Sequence, residues 1–108
     1  MNKLKIEKIK EEILGKDYDL SVAFVSENKI KSLNKKYRKI NKPTDVLSFS
    51  LQEGLGEILI CKKIAQKKKT PILFLVIHAV LHLKGMEHSS KMEAYERAYY
   101  NRYRCGHL

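Results

Sequence analysis

Residues 72–88 read Ile72-Leu-Phe-Leu-Val-Ile-His78-Ala-Val-Leu-His82-Leu-Lys-Gly85-Met-Glu-His88. The segment is apolar on nearly every side, and a strand of that length is unusual, so the pattern predicts a buried helix over 72–84. Thr70-Pro71 before it supplies an N-cap and a first helical residue. Gly85 supplies the left-handed stop. His78 and His82 stand at i and i+4, so they share one face of the helix, about one turn apart. Gly85 takes positive φ without steric cost and turns the chain back, which brings His88 round as a third nitrogen. Three imidazoles at ~2.0–2.1 Å from an ion leave the fourth tetrahedral position for water, the arrangement of a catalytic zinc rather than a structural one. Nickel, copper and iron accept imidazole too. A lone pair of histidines at this spacing carries little weight. The third histidine and the apolar wall add to it, because imidazoles in such a wall need polar partners and a shared metal satisfies them. One zinc per chain, or another divalent transition metal, is therefore expected on His78, His82 and His88.

Working outward, Ile6, Ile9 and Ile13 are spaced three then four and predict an amphipathic helix over 3–14, stopped by Gly15. Leu20, Val22 and Phe24 alternate as a strand. Ser26 caps a helix over 27–39 with inner face Ile30, Leu33 and Tyr37. Asn41-Lys42-Pro43 is a turn. The β-rich runs 44–49 and 57–61, separated by a loop of hairpin length, are expected to pair antiparallel. Lys62–Lys69 is ambiguous, with a short helical turn as one reading. Ser90-Lys91-Met92-Glu93 reads as a capping box opening a helix over 91–104, with Met92, Tyr95, Tyr99 and Tyr103 along one side.

The chain has 108 residues, 31 of them Leu, Ile, Val or Phe, which is enough apolar mass for a core and for one domain over 1–108. The longest uninterrupted apolar run, Ile72 to Ile77, falls far short of the roughly 20 residues that span a bilayer. The charged N-terminus has no apolar segment of a signal peptide. Cys61 and Cys105 form no disulfide framework, so a cytoplasmic, reducing location is expected. The formal net charge of +10 points to a polyanionic partner: RNA, DNA or an anionic membrane. A basic surface that serves only solubility is the plainer alternative.

The spacing H-x-x-x-H-x-x-G-x-x-H also occurs in metzincin proteases, which place a glutamate directly after the first histidine as general base. Ala79 stands there in this chain, so a metalloprotease lacks its base. Arg38, followed by the donors Asn41, Lys42 and Thr44, is suited to clamp a phosphate bidentately, which a point-charge lysine cannot do. Lys35, Lys36 and Lys39 beside it, and the run Lys67-Lys68-Lys69, add clustered cations, although most single lysines simply face solvent. A metal beside a phosphate-binding arginine reads as phosphodiester hydrolysis. His107 has no partner at ligand spacing and is assigned no role.

Four motifs then occur in order: Leu33-Asn34-Lys35-Lys36-Tyr37-Arg38, Pro43-Thr44-Asp45-Val46-Leu47-Ser48-Phe49, Gly56-Glu57-Ile58 and the histidine segment. Together they resemble the YbeY family of bacterial metal-dependent endoribonucleases, whose pattern runs L-N-x-x-y-R, P-T-D-V-L-S-F, G-D-I and H-G-x-L-H-L-x-G-y-D-H. The resemblance covers roughly residues 20–100. It implies an α+β fold, with a small mixed sheet of three to four strands packed against helices and the histidine helix beside it. It implies zinc on His78, His82 and His88, and Arg38 as a catalytic and RNA-binding residue; the clustered charge of Lys35, Lys36 and Lys39 beside it is read as further RNA contact. It implies single-strand-specific cleavage in maturation of the small-subunit ribosomal RNA 3′ end and in ribosome quality control, with single-stranded RNA, ribosomal RNA and the small ribosomal subunit as partners. Asp45, Glu57 and Glu87 are the candidates for orienting a histidine through its other ring nitrogen. A ribosome- or RNA-binding protein with a structural metal and little nuclease activity is the alternative.

Overall fold

In the computed structural model, which describes residues 3–104, apolar periodicity resolves into five helices and three strands. They are α1 (Lys3–Ile13), β1 (Asp19–Phe24), α2 (Glu27–Arg38), β2 (Val46–Gln52), β3 (Leu55–Ile60), α3 (Lys62–Lys68), α4 (Ile72–Leu83) and α5 (Ser90–Arg104). Cys105 and His107 lie outside the described residues.

The strands form one mixed sheet of order β1-β3-β2. β1 runs parallel to β3, and β2 runs antiparallel to it. The expected hairpin is present, but its connection tightens to Glu53-Gly54 because Leu55 and Gly56 join β3. Thr44 and Asp45 consequently precede their strand instead of opening it. The α+β class and the three-stranded sheet agree with the sequence reading.

Alternation along the strands assigns two faces. Ile58 and Ile60 face the larger core with Ile9 and Ile13 of α1, the buried stripe of α4, and Met92 and Tyr103 of α5. Leu47 faces a smaller cluster with Ile30 of α2, Cys61 and Ile64. α4 thus lies on the sheet, flanked by α1 and α5, which explains why it is apolar nearly all round.

Gly56 has a packing reason. A Cβ there would run into the Tyr18 hydroxyl and meet the two δ-methyl groups of Leu83 at 3.1 and 3.2 Å. The glycine lets α4 and the β1 entry close over the centre of the sheet.

Several local expectations shift. Pro71 is itself the N-cap of α4, with extended ψ of 140°, and Thr70 stands one residue outside. Ser89, not Ser90, caps α5: its Oγ accepts from the Met92 amide at 3.1 Å. Phe24, Tyr37 and Tyr95 are 45 %, 56 % and 43 % exposed, so they are not core residues. The inward stripe of α5 runs through Met92, Glu96 and Tyr103, one step round from the predicted line of tyrosines. Lys62–Lys69, ambiguous in the sequence, is a helix closed by Lys69 in the left-handed conformation.

Candidate metal centre

α4 ends in a Schellman turn: the Met86 amide donates to the Leu81 carbonyl at 3.1 Å, and the Gly85 amide donates to the His82 carbonyl at 2.9 Å. Gly85 holds φ of 105°, which only glycine adopts freely. This turn reverses the chain and places His88 opposite the helix. The rings of His78, His82 and His88 then sit 4.5, 5.1 and 4.9 Å apart, centroid to centroid. One ligand atom from each lies within 4.8 Å of the others. His78 and His82 are half-buried, and His88 is exposed.

Hydrogen bonds define which nitrogens face inward. Met86 offers only a carbonyl oxygen, so His82 Nδ1–H donates to it at 3.0 Å. An ionised Glu96 only accepts, so His78 Nδ1–H donates to its Oε2 at 2.5 Å. Both Nε2 atoms are left with lone pairs directed at each other, 3.1 Å apart. Two lone pairs facing each other at that distance could be met by one shared metal ion. The separation fits two ligands of one tetrahedral ion at ~2.0–2.1 Å each. Burial, reinforced by the neighbouring His78 and opposed by the Met86 carbonyl, lowers the His82 pKa and so favours the neutral, ligating ring.

Glu96 escaped the sequence reading. It is 5 % exposed on α5 and its carboxylate touches the first histidine. The signal was available in the spacing of Met92, Glu96, Tyr99 and Tyr103, four then three then four, which puts an acid inside an apolar stripe. Asp45 lines the same cleft as the histidines, and its Oδ2 lies 3.8 Å from Lys68 Nζ. Glu87 is exposed beside His88. Glu57 is not brought to the site: strand alternation pairs it with Phe49 on the α2 face. As partners of a histidine, the sequence candidates give way to Glu96.

Opposite the histidines, the cleft of about 620 Å³ is walled by Arg38 and Tyr37 of α2, by Thr44 and Asp45 ahead of β2, and by Val46 and Ser48 within it. Buried Asn34 holds this wall together, donating from Nδ2 to the Lys42 carbonyl at 2.9 Å. Lys35, Lys36 and Lys39 line a separate hollow with Ser32 and Asn41, so they do not share the histidine cleft. Ala79 is buried and borders the cleft, and its methyl is accommodated without separating the three rings.

The three converging histidines could hold a metal ion, and Arg38 across the cleft is a side chain suited to an anion. Comparison with known proteins identifies the family. The family profile described as Endoribonuclease YbeY matches residues 2–104, and this chain belongs to that family. It is 40 % identical over 93 residues to the endoribonuclease YbeY of Finegoldia magna, covering 72 % of this chain and 61 % of that protein. It is 34 % identical over 107 residues to the namesake of Staphylococcus carnosus, covering 81 % and 70 %. The solution structure of a Thermotoga maritima protein superimposes with a TM-score of 0.63 at 33 % identity, covering 97 % of this chain and 83 % of that one. The chain thus spans 61 % and 70 % of the length of these two curated relatives. Among the described residues, no helix is long and apolar enough to cross a membrane.

Proposed function

We propose that the chain is a metal-dependent endoribonuclease that cleaves single-stranded RNA. Its setting is maturation of ribosomal RNA at the small-subunit 3′ end and ribosome quality control in the cytoplasm, with zinc as the metal. The observation that carries this reading is the meeting of His78, His82 and His88 with Arg38 in one cleft of a family member.

His78, His82 and His88 would hold the ion, which when bound supplies Lewis-acid activation of water or of a phosphate oxygen. Glu96 orients His78 and keeps its Nε2 free for ligation. The Met86 carbonyl does the same for His82. Arg38 clamps the phosphodiester across the cleft and stabilises charge that grows on its oxygens. Thr44 and Ser48 add neutral donors on the same wall.

One observation favours a second reading, a ribosome- or RNA-binding protein with a structural metal. Among the described residues, the only carboxylate lining the cleft is Asp45, which is paired with Lys68. Elemental analysis of the purified chain and of His82→Ala, with RNA cleavage followed on the same samples, separates the two. About one zinc per chain, lost together with cleavage in the variant, is the expected result. Bound metal and bound RNA without cleavage would leave the binding protein, and no metal after reconstitution would remove both readings.

A further inference from the structure

The ends of β1 and β3 and the start of β2 lie together at one end of the sheet. The Val25 amide donates to the Ile60 carbonyl, and the Cys61 amide donates to the Asp45 carbonyl, both at 2.9 Å. Phe24 therefore stands two strands from Asp45, about 10 Å at the usual strand spacing. α3 begins at the same place. Its seven residues extend about 10 Å, from Lys62 beside Phe24 to Lys68 beside Asp45 in the histidine cleft.

This connecting surface is strongly cationic. Lys62, Lys63, Lys67, Lys68 and Lys69 fall within eight consecutive residues, and all are exposed. Two carboxylates answer them: Glu27 lies 3.6 Å from Lys63 and 3.8 Å from Lys67, and Asp45 lies 3.8 Å from Lys68. The lysine ends of these pairs are exposed and the separations are long, so phosphates compete for the lysines readily. Phe24 is the aromatic element. Its ring is 45 % exposed, with Lys62 Nζ 4.3 Å from the centroid. It borders a second hollow of about 530 Å³ together with Ser26 and Asn28. The core has no need of an exposed phenylalanine there. A cationic track ending in an exposed ring is the combination that binds single strands: lysines follow the backbone and the ring stacks a base.

We propose that the flank of a single-stranded RNA leaving the histidine cleft lies along α3, with its phosphates on Lys63, Lys67 and Lys68 and a base stacked against Phe24. The inference rests on the RNA reading above, and names the surface that holds the strand outside the cleft.

The test is fluorescence anisotropy of the full chain, zinc-loaded, with a labelled single-stranded oligoadenylate long enough to span cleft and hollow, titrated across a salt series. The triple variant Lys63→Gln/Lys67→Gln/Lys68→Gln is expected to flatten the slope of log affinity against log salt by about 2, since each single-strand phosphate contact contributes about 0.7. Phe24→Ala is expected to weaken binding roughly 10-fold with the slope unchanged, because stacking involves no counterions. A trinucleotide confined to the cleft should not distinguish Phe24→Ala from the parent. All four side chains are exposed, so folding is expected to persist, and circular dichroism melts verify it. If the parent binds the long strand, Arg38→Ala weakens it, and the α3 and Phe24 variants match the parent, the strand takes another path and this proposal is overturned while the RNA reading stands. If the parent binds no RNA at any salt concentration, the RNA reading fails and the proposal with it.

Discussion

On the α4 side of the sheet, Ile58, Ile60, Val76, Ile77 and Val80 are sealed from solvent under three helices. On the α2 side only Ile30, Leu47, Cys61 and Ile64 form a buried cluster, and Tyr37 and Leu51 stay more than half exposed. The histidines grow from the first side and Arg38 from the second. The difference matches what the proposed function would ask of each. Ligand atoms must converge within tenths of an ångström, and a dense core prevents them from drifting. A guanidinium at the end of a long side chain reaches a phosphate from a less constrained base.

Substitutions sharpen or break that contrast. The largest effect is expected at Arg38. Arg38→Ala should lower kcat/KM for RNA cleavage about 100-fold while the metal content stays at the parent value, measured by cleavage kinetics and elemental analysis in parallel. Loss of metal in this variant would mean that the two sides are one structural unit. Next comes Glu96→Gln, expected to weaken metal affinity about 10-fold or more in competition with a chromophoric chelator. Unchanged affinity would show that packing alone orients His78.

Gly56→Ala tests how tightly the α4 side is closed. The new methyl meets Tyr18 and Leu83, so a loss of about 1–3 kcal/mol in denaturant unfolding is expected. Leu51→Ala, on the open side and 57 % exposed, should stay within about 0.5 kcal/mol. Equal losses at the two positions would end the contrast.

The smallest effect is expected at Tyr103, which ties α5 to α1 by donating its hydroxyl hydrogen bond to the Glu12 carboxylate. Tyr103→Phe should cost about 1 kcal/mol. Burial, with the Glu12 hydrogen bond adding to it, pushes the Tyr103 hydroxyl up to about 12. The fold favours the neutral phenol. Its contribution is therefore complete below the unfolded value near 10 and is lost as pH rises through about 12. The difference in stability between parent and Tyr103→Phe should narrow across that window.

Much of the site was legible because its parts are local. The i, i+4 histidines, the glycine turn and His88 all lie within residues 78–88, where helix geometry and one positive φ dictate proximity. Arg38 was legible through its motif. Glu96 is hidden in the sequence because the tyrosine spacing predicts an inward stripe of its own, whereas packing against α4 turns the helix so that Tyr95 faces solvent and Glu96 faces His78. Glu57 went the other way: its motif suggested a place beside the histidines, and strand alternation put it on the opposite face.

Periodicity, turn chemistry and composition alone set the element order apart from α3, the meeting of the three imidazoles and the basic character of the chain. Packing set which acid touches His78, which lysines stand apart from the cleft, and that α3 leads from Asp45 in the cleft to Phe24 at a second hollow. Those are contacts between elements distant in the chain, and they depend on how helices roll and strands align when the core closes.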